Sequence, residues 1–219
     1  MNQPSANLAL QEAATAVDRN SPGHRAEKII GMLRNDGNSE RAQHELKHDP
    51  VLLYQFMTYL RSVGVGYQHD AGPWHPPVLR GQPEQFKNWV SQFADSGCQE
   101  VSRSIGKNAV VRGRFLELIG KTMFGDKAAD ELFIVGIFSV LDILLAQPMR
   151  KLLDGLTISE EMHQALLYRK GAYAPLLFLA KAIEDANEQR IDQLQATLQI
   201  PIEVMYETYN AALEWAEQR

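Results

Sequence analysis

The sequence predicts an all-α protein. Three observations carry that prediction. Apolar residues recur at helical spacing: Leu52, Phe56, Tyr59, Leu60 and Val63 follow the i, i+4, i+7, i+8, i+11 stripe of a core-facing helix. Helix-start chemistry stands ahead of that stripe, with Asp49 as N-cap and Pro50 at the first helical position. No segment of alternating β-branched residues competes with these signals.

Taken in chain order, residues 1–22 read as a flexible N-terminal arm, whose short alanine-rich helix is broken by Asn20-Ser21-Pro22-Gly23. Residues 23–219 read as one helical domain. Ile29, Ile30 and Leu33 share a face of its first helix, which ends at Asn35-Asp36-Gly37-Asn38. A mostly polar helix is expected over 39–48, then the helix after Asp49, closed by Gly64 and Gly66. The stretch 67–83 holds Pro73, Pro76, Pro77 and Pro83 with Gly72 and Gly81, and reads as an irregular loop. Helix resumes at Glu84, with Phe86, Trp89, Val90 and Phe93 facing inward. Further helices are expected over 110–124, 128–145, 159–168, 174–187, 191–199 and 201–217. Thr157 and Glu160 have capping-box spacing. In the last helix Ile202, Met205, Tyr206, Tyr209, Ala212, Leu213 and Ala216 fall on one face.

Composition narrows the function classes. The chain has 219 residues, 45% of them hydrophobic, with 22 Lys+Arg against 27 Asp+Glu and a net charge of -5. That acidic excess argues against unassisted nucleic-acid binding, which needs a dense basic face. A single cysteine, Cys98, excludes an internal disulfide and any multi-cysteine metal site, and points to the reducing cytoplasm. Residues 1–20 have no apolar core of a secretory signal. The run LFIVGIFSVLDILL at 132–145 is shorter than the roughly 20 residues of a membrane span and contains Asp142. It reads as a helix buried at the centre of the domain.

Several short motifs suggest chemistry. His44-Glu45-Leu46-Lys47-His48 has the H-E-x-x-H spacing that puts two imidazoles on one helix face for zinc. Asp49-Pro50 ends that helix, however, and Lys47 would repel a metal, so the motif reads as a solvated polar helix. His69, Asp70 and His75 could form a loop metal site, which would make the chain a metal-dependent phosphohydrolase with atypical ligands. Gly120-Lys121-Thr122 resembles the end of a phosphate loop, but Phe115 stands where its first glycine is needed. Cys98 has no obvious charge partner in its short loop, though Arg103 is near in sequence, and a catalytic thiol is not expected. Asp142, with Ser139 three residues before it, either lines a polar cleft able to hold a nucleotide or meets an arginine of the 112–114 segment. The second is the simpler reading, because an isolated buried carboxylate is costly.

The order of certain segments carries a family resemblance. Asp49-Pro50-Val51-Leu52 is followed by Tyr59-Leu60-Arg61-Ser62 and Gly66. Val111-Arg112-Gly113-Arg114-Phe115-Leu116-Glu117-Leu118 precedes Gly136-Ile137-Phe138-Ser139-Val140-Leu141-Asp142-Ile143-Leu144-Leu145, then Pro148-Met149. The end reads Ala211-Ala212-Leu213-Glu214-Trp215-Ala216. Together these resemble the HDOD domain, in the subgroup that often follows an EAL (cyclic-di-GMP phosphodiesterase) domain in bacterial signalling proteins. The resemblance runs from about Ala26 to Trp215.

It implies an HD-like multi-helix bundle without hydrolase activity, acting as a signalling or scaffolding module that binds a partner protein. It also implies no cofactor, and a link to a cyclic-di-GMP signalling protein. The positions where a metal-binding relative carries its ligands correspond to Arg112, Ser139 and Val140, none suited to a divalent ion. With no EAL segment ahead of the domain in this sequence, the link is expected to act between separate chains. The 67–83 loop replaces a stretch the family usually makes helical. Its Trp74, His75 and Arg80 are candidate partner contacts, because aromatic and arginine side chains anchor interfaces.

Overall fold

Asp49 starts a helix as its sequence predicts: its Oδ1 accepts a hydrogen bond from the Leu52 N–H at 3.0 Å. This helix, α2 (Pro50–Ser62), follows α1 (Ser39–Lys47). It buries Leu52, Leu53, Phe56, Met57 and Tyr59. The computed structural model describes residues 39–62 and 100–218, together with 24, 27–29 and 31–32. The arm, the 67–83 loop, the helix expected after Glu84, and Cys98 lie outside the described residues, as do His69, Asp70, Trp74, His75 and Arg80. Among the described residues the chain is all-α, a multi-helix bundle without strands. None of its helices is long and apolar enough to cross a membrane.

The bundle is built on a hairpin of α3 (Glu100–Phe124) and α4 (Asp126–Phe138), joined through Gly125 at φ 87°. Glycines let the two backbones touch. A Cβ placed on Gly136 would lie 2.5 Å from the Gly113 Cα, and one on Gly113 would lie 2.9 Å from the Phe133 carbonyl oxygen. No side chain fits there. One heptad along, Gly120 leaves room for Leu132. In this closed seam Leu132, Phe133, Ile134, Val135, Ile137 and Phe138 are fully buried, as the apolar run predicts.

The run is not one helix, however. It breaks at Ser139-Val140, and α5 (Leu141–Leu144) follows as a separate short helix. The Ser139 hydroxyl donates to the Gly136 carbonyl at 2.6 Å, and Val140 takes φ -128°, ψ 12°. Ser139 thus turns back on the last turn of α4, and β-branched Val140 leaves the helical region. Leu141 stays in the core while Ile143, 61% exposed, does not.

The chain continues through α6 (Met149–Asp154), which the sequence reading missed, and α7 (Glu160–His163). Ser159, not Thr157, caps α7: its oxygen accepts from the Met162 N–H at 3.3 Å. A π-turn over Gln164–Tyr168 replaces the expected α-helical end and stops at Arg169, φ 55°. Then come α8 (Ala174–Glu184), α9 (Glu188–Leu198) and α10 (Ile202–Glu217). Both α8 and α10 pack on α3.

Candidate functional site

The glycine contact between α3 and α4 fixes what surrounds it. Arg112 precedes Gly113 on α3, and Ser139 stands three residues after Gly136, at the end of α4. Where the glycines touch, these two side chains meet: Arg112 Nη1 donates to the Ser139 hydroxyl. The other two nitrogens of Arg112 reach α8. Nε donates to Glu184 Oε1 at 2.7 Å and Nη2 to Oε2 at 2.6 Å, a bidentate pair. The Arg112 and Glu184 side chains are only 8% and 13% exposed.

Ser139 is used on every polar atom. Its hydroxyl accepts from Arg112 and donates to Gly136, and its carbonyl accepts from Arg169 Nη2 at 3.3 Å. Burial holds the Arg169 guanidinium below the ordinary arginine pKa; Asp142 raises it again, and Arg112 opposes that. The arginines of the 112–114 segment, expected beside Asp142, are engaged elsewhere: Arg112 with Ser139 and Glu184, and Arg114 with Glu117. Tyr209 of α10 borders the cluster. Its hydroxyl pKa is raised by burial first, then by Glu184, with Arg112 opposing.

These residues form an ionic cluster where α3, the end of α4 and α8 meet. Arg112 is cationic, the Ser139 hydroxyl is spent, and Val140 has no donor atom, so the three positions do not fit a divalent ion. The sequence picks out Arg112, Ser139 and Val140 but not Glu184, Arg169 or Tyr209. Glu184 lies 72 residues from Arg112, in the exposed-looking end of an apolar helix, and nothing local marks it as a partner.

The H-E-x-x-H motif has a different role from either sequence reading. His48 is buried, not solvated. Its ring stacks on Trp215 with centroids 4.1 Å apart, and its two nitrogens lie 2.7 Å from the His44 carbonyl and 3.1 Å from the Trp215 carbonyl. Glu45 pairs with Lys28 at 2.7 Å. Lys47 pairs with Glu117 at 2.6 Å, which also takes Arg114 at 2.8 Å. Arg114 in turn sits 5.1 Å from the Trp215 ring centroid. The motif clamps α10 to α1 and α3. Among the described residues no group of three or more His, Cys, Asp or Glu is placed to hold a metal.

A third buried polar cluster ties α4 to the segments around α7 and α8. Glu131 accepts from the Tyr173 hydroxyl at 2.7 Å and from the Ser159 hydroxyl at 3.0 Å. Two hydroxyl donors compensate the burial of this carboxylate. Trp74, His75 and Arg80 are outside the described residues, so the structure neither joins nor separates them.

Two curated proteins are similar to the chain. YuxH of Bacillus subtilis, an uncharacterized protein, is 25% identical over 193 residues, which cover 86% of this chain and 46% of YuxH. CdgJ of Vibrio cholerae, a cyclic di-GMP phosphodiesterase, is 27% identical over 178 residues, covering 81% of this chain and 41% of CdgJ. The chain thus spans less than half the length of these relatives. No family model and no solved structure matches it.

Proposed function

We propose that this chain is a non-catalytic module of the HDOD type, which binds a partner protein in a bacterial pathway connected with cyclic-di-GMP. One observation carries the reading. Where the resemblance expects metal ligands, the chain holds an arginine whose three nitrogens are committed to Glu184 and Ser139. A guanidinium so held repels a divalent cation and leaves no open coordination position from which water could attack a phosphoester. The distant similarity to CdgJ supports the connection with cyclic-di-GMP. The work left to such a domain is recognition, with Trp74, His75 and Arg80 as proposed contacts.

The test is direct. The purified full chain is incubated with cyclic-di-GMP and with bis(p-nitrophenyl) phosphate in the presence of Mn²⁺, Fe²⁺ or Ni²⁺, and its metal content is measured. The expected result is hydrolysis no faster than the metal-only control and far less than one metal per chain. Sustained turnover, lost on chelation, would make the protein an enzyme and end this reading.

A further inference from the structure

The expected single apolar face of α10 is divided. Met205, Ala212 and Ala216 are buried against the bundle, but Ile202, Tyr206 and Leu213 are 40%, 43% and 39% exposed. With half-buried Tyr209 these form a line, Ile202, Tyr206, Tyr209, Leu213, spaced four, three and four residues apart. That is the a/d spacing by which one helix receives another. Ile202, Tyr206 and Leu213 thus leave apolar surface in water in one row along the helix, a surface that a partner can cover.

Charge selects the occupant. Helix α10 carries Glu203, Glu207, Glu214 and Glu217 and neither lysine nor arginine. At 100° per residue, Glu203, Glu207 and Glu214 fall along the solvent side of the seam, and Glu217 beside its far end. Among the described residues none of Glu203, Glu207 and Glu214 is held in an ion pair. Glu217 pairs, among the described residues, with the exposed Lys107, 3.3 Å away. A second copy would bring one acidic ridge against another, and a nucleic acid or an anionic membrane would be repelled.

We infer that the outer face of α10 is a docking site for an amphipathic helix of a partner protein, with apolar residues at heptad spacing flanked by lysine or arginine. This names the kind of partner for the module proposed above and rests on that reading. The seam is carried wholly by α10.

The experiment uses the full chain and two synthetic three-heptad peptides with leucine at a and d, one with lysine and one with glutamate at e and g. Binding is read by fluorescence anisotropy of the labelled peptide at low and moderate salt. The lysine peptide is expected to bind at least about tenfold more tightly than the glutamate peptide, and more weakly as salt rises. The Ile202→Ser/Leu213→Ser variant, both sites being partly exposed, is expected to keep the parent's circular dichroism and melting temperature and to lose at least about tenfold in affinity. In the parent background, Glu203→Lys/Glu214→Lys is expected to reverse the preference between the peptides.

Equal binding of both peptides, binding that survives the serine variant, or no binding would overturn the inference. So would a concentration-dependent dimer in sedimentation that the serine variant abolishes, or binding to phosphatidylserine vesicles in place of peptide. Failure here leaves the hydrolysis test untouched. Conversely, phosphoester turnover by a chain that still binds the lysine peptide removes only the non-catalytic reading.

Discussion

Arg112 on α3 and Glu184 on α8 join two helices by paired hydrogen bonds of 2.7 and 2.6 Å, across 72 residues of sequence. Removing one partner of a buried pair is costlier than removing both, because the survivor is left charged and unpaired. Arg112→Met is expected to lower unfolding stability by about 3–5 kcal/mol, and the double variant Arg112→Met/Glu184→Leu to recover most of that loss. Urea unfolding of the four proteins in the cycle measures it. A double variant as unstable as the worse single one would show that the pair does not act as a unit.

The glycine seam gives a contrast within one hairpin. Gly136→Ala forces its Cβ against the Gly113 backbone, which cannot give way as a flexible side chain can. It is expected to cost about 1–3 kcal/mol. Gly106→Ala, in the same α3, meets nothing within 4 Å. It is expected to stabilise by about 0.5–1 kcal/mol through helix propensity. Thermal unfolding distinguishes the two, and equal effects would contradict the close backbone approach.

Trp215 receives His48, His44, Arg114 and Phe133 around its ring. Trp215→Ala is expected to lose about 3 kcal/mol and to free α10 first. Hydrogen exchange would then show faster exchange in α10 than in the α3–α4 hairpin. Uniform loss of protection in both would place the effect on the whole bundle.

His44 supplies a pH dependence. Its pKa is held below 6.5 by burial first and then by His48, with Arg114 and Lys28 adding to this and Glu45 opposing. The unfolded chain therefore binds this proton more readily than the folded one. The contribution of His44 to stability is complete above its unfolded value and is lost as pH falls through the lower folded value. Urea midpoints are expected to fall between about pH 7.5 and about pH 5, and less so in His44→Gln. A steeper fall in the variant would reverse the assigned sign.

Local chemistry in the sequence determined a good part of this protein. The Asp49 cap, the stripe of α2, the buried run of α4 and the helical class all follow from turn residues and from apolar spacing of 3.6, which act within a few residues of one another. Arg112, Ser139 and Val140 could be singled out through segment order. Tertiary structure alone decided what they touch. The choice of Glu184 over Asp142 beside Arg112, and the conversion of His44 and His48 into a clamp on Trp215, depend on contacts between residues far apart in the chain. The same holds for α10, whose apolar face looks uniform in sequence but is buried at Met205, Ala212 and Ala216 and exposed at Ile202, Tyr206 and Leu213. Periodicity tells which side of a helix is apolar; only the packed neighbours determine how much of that side is removed from water.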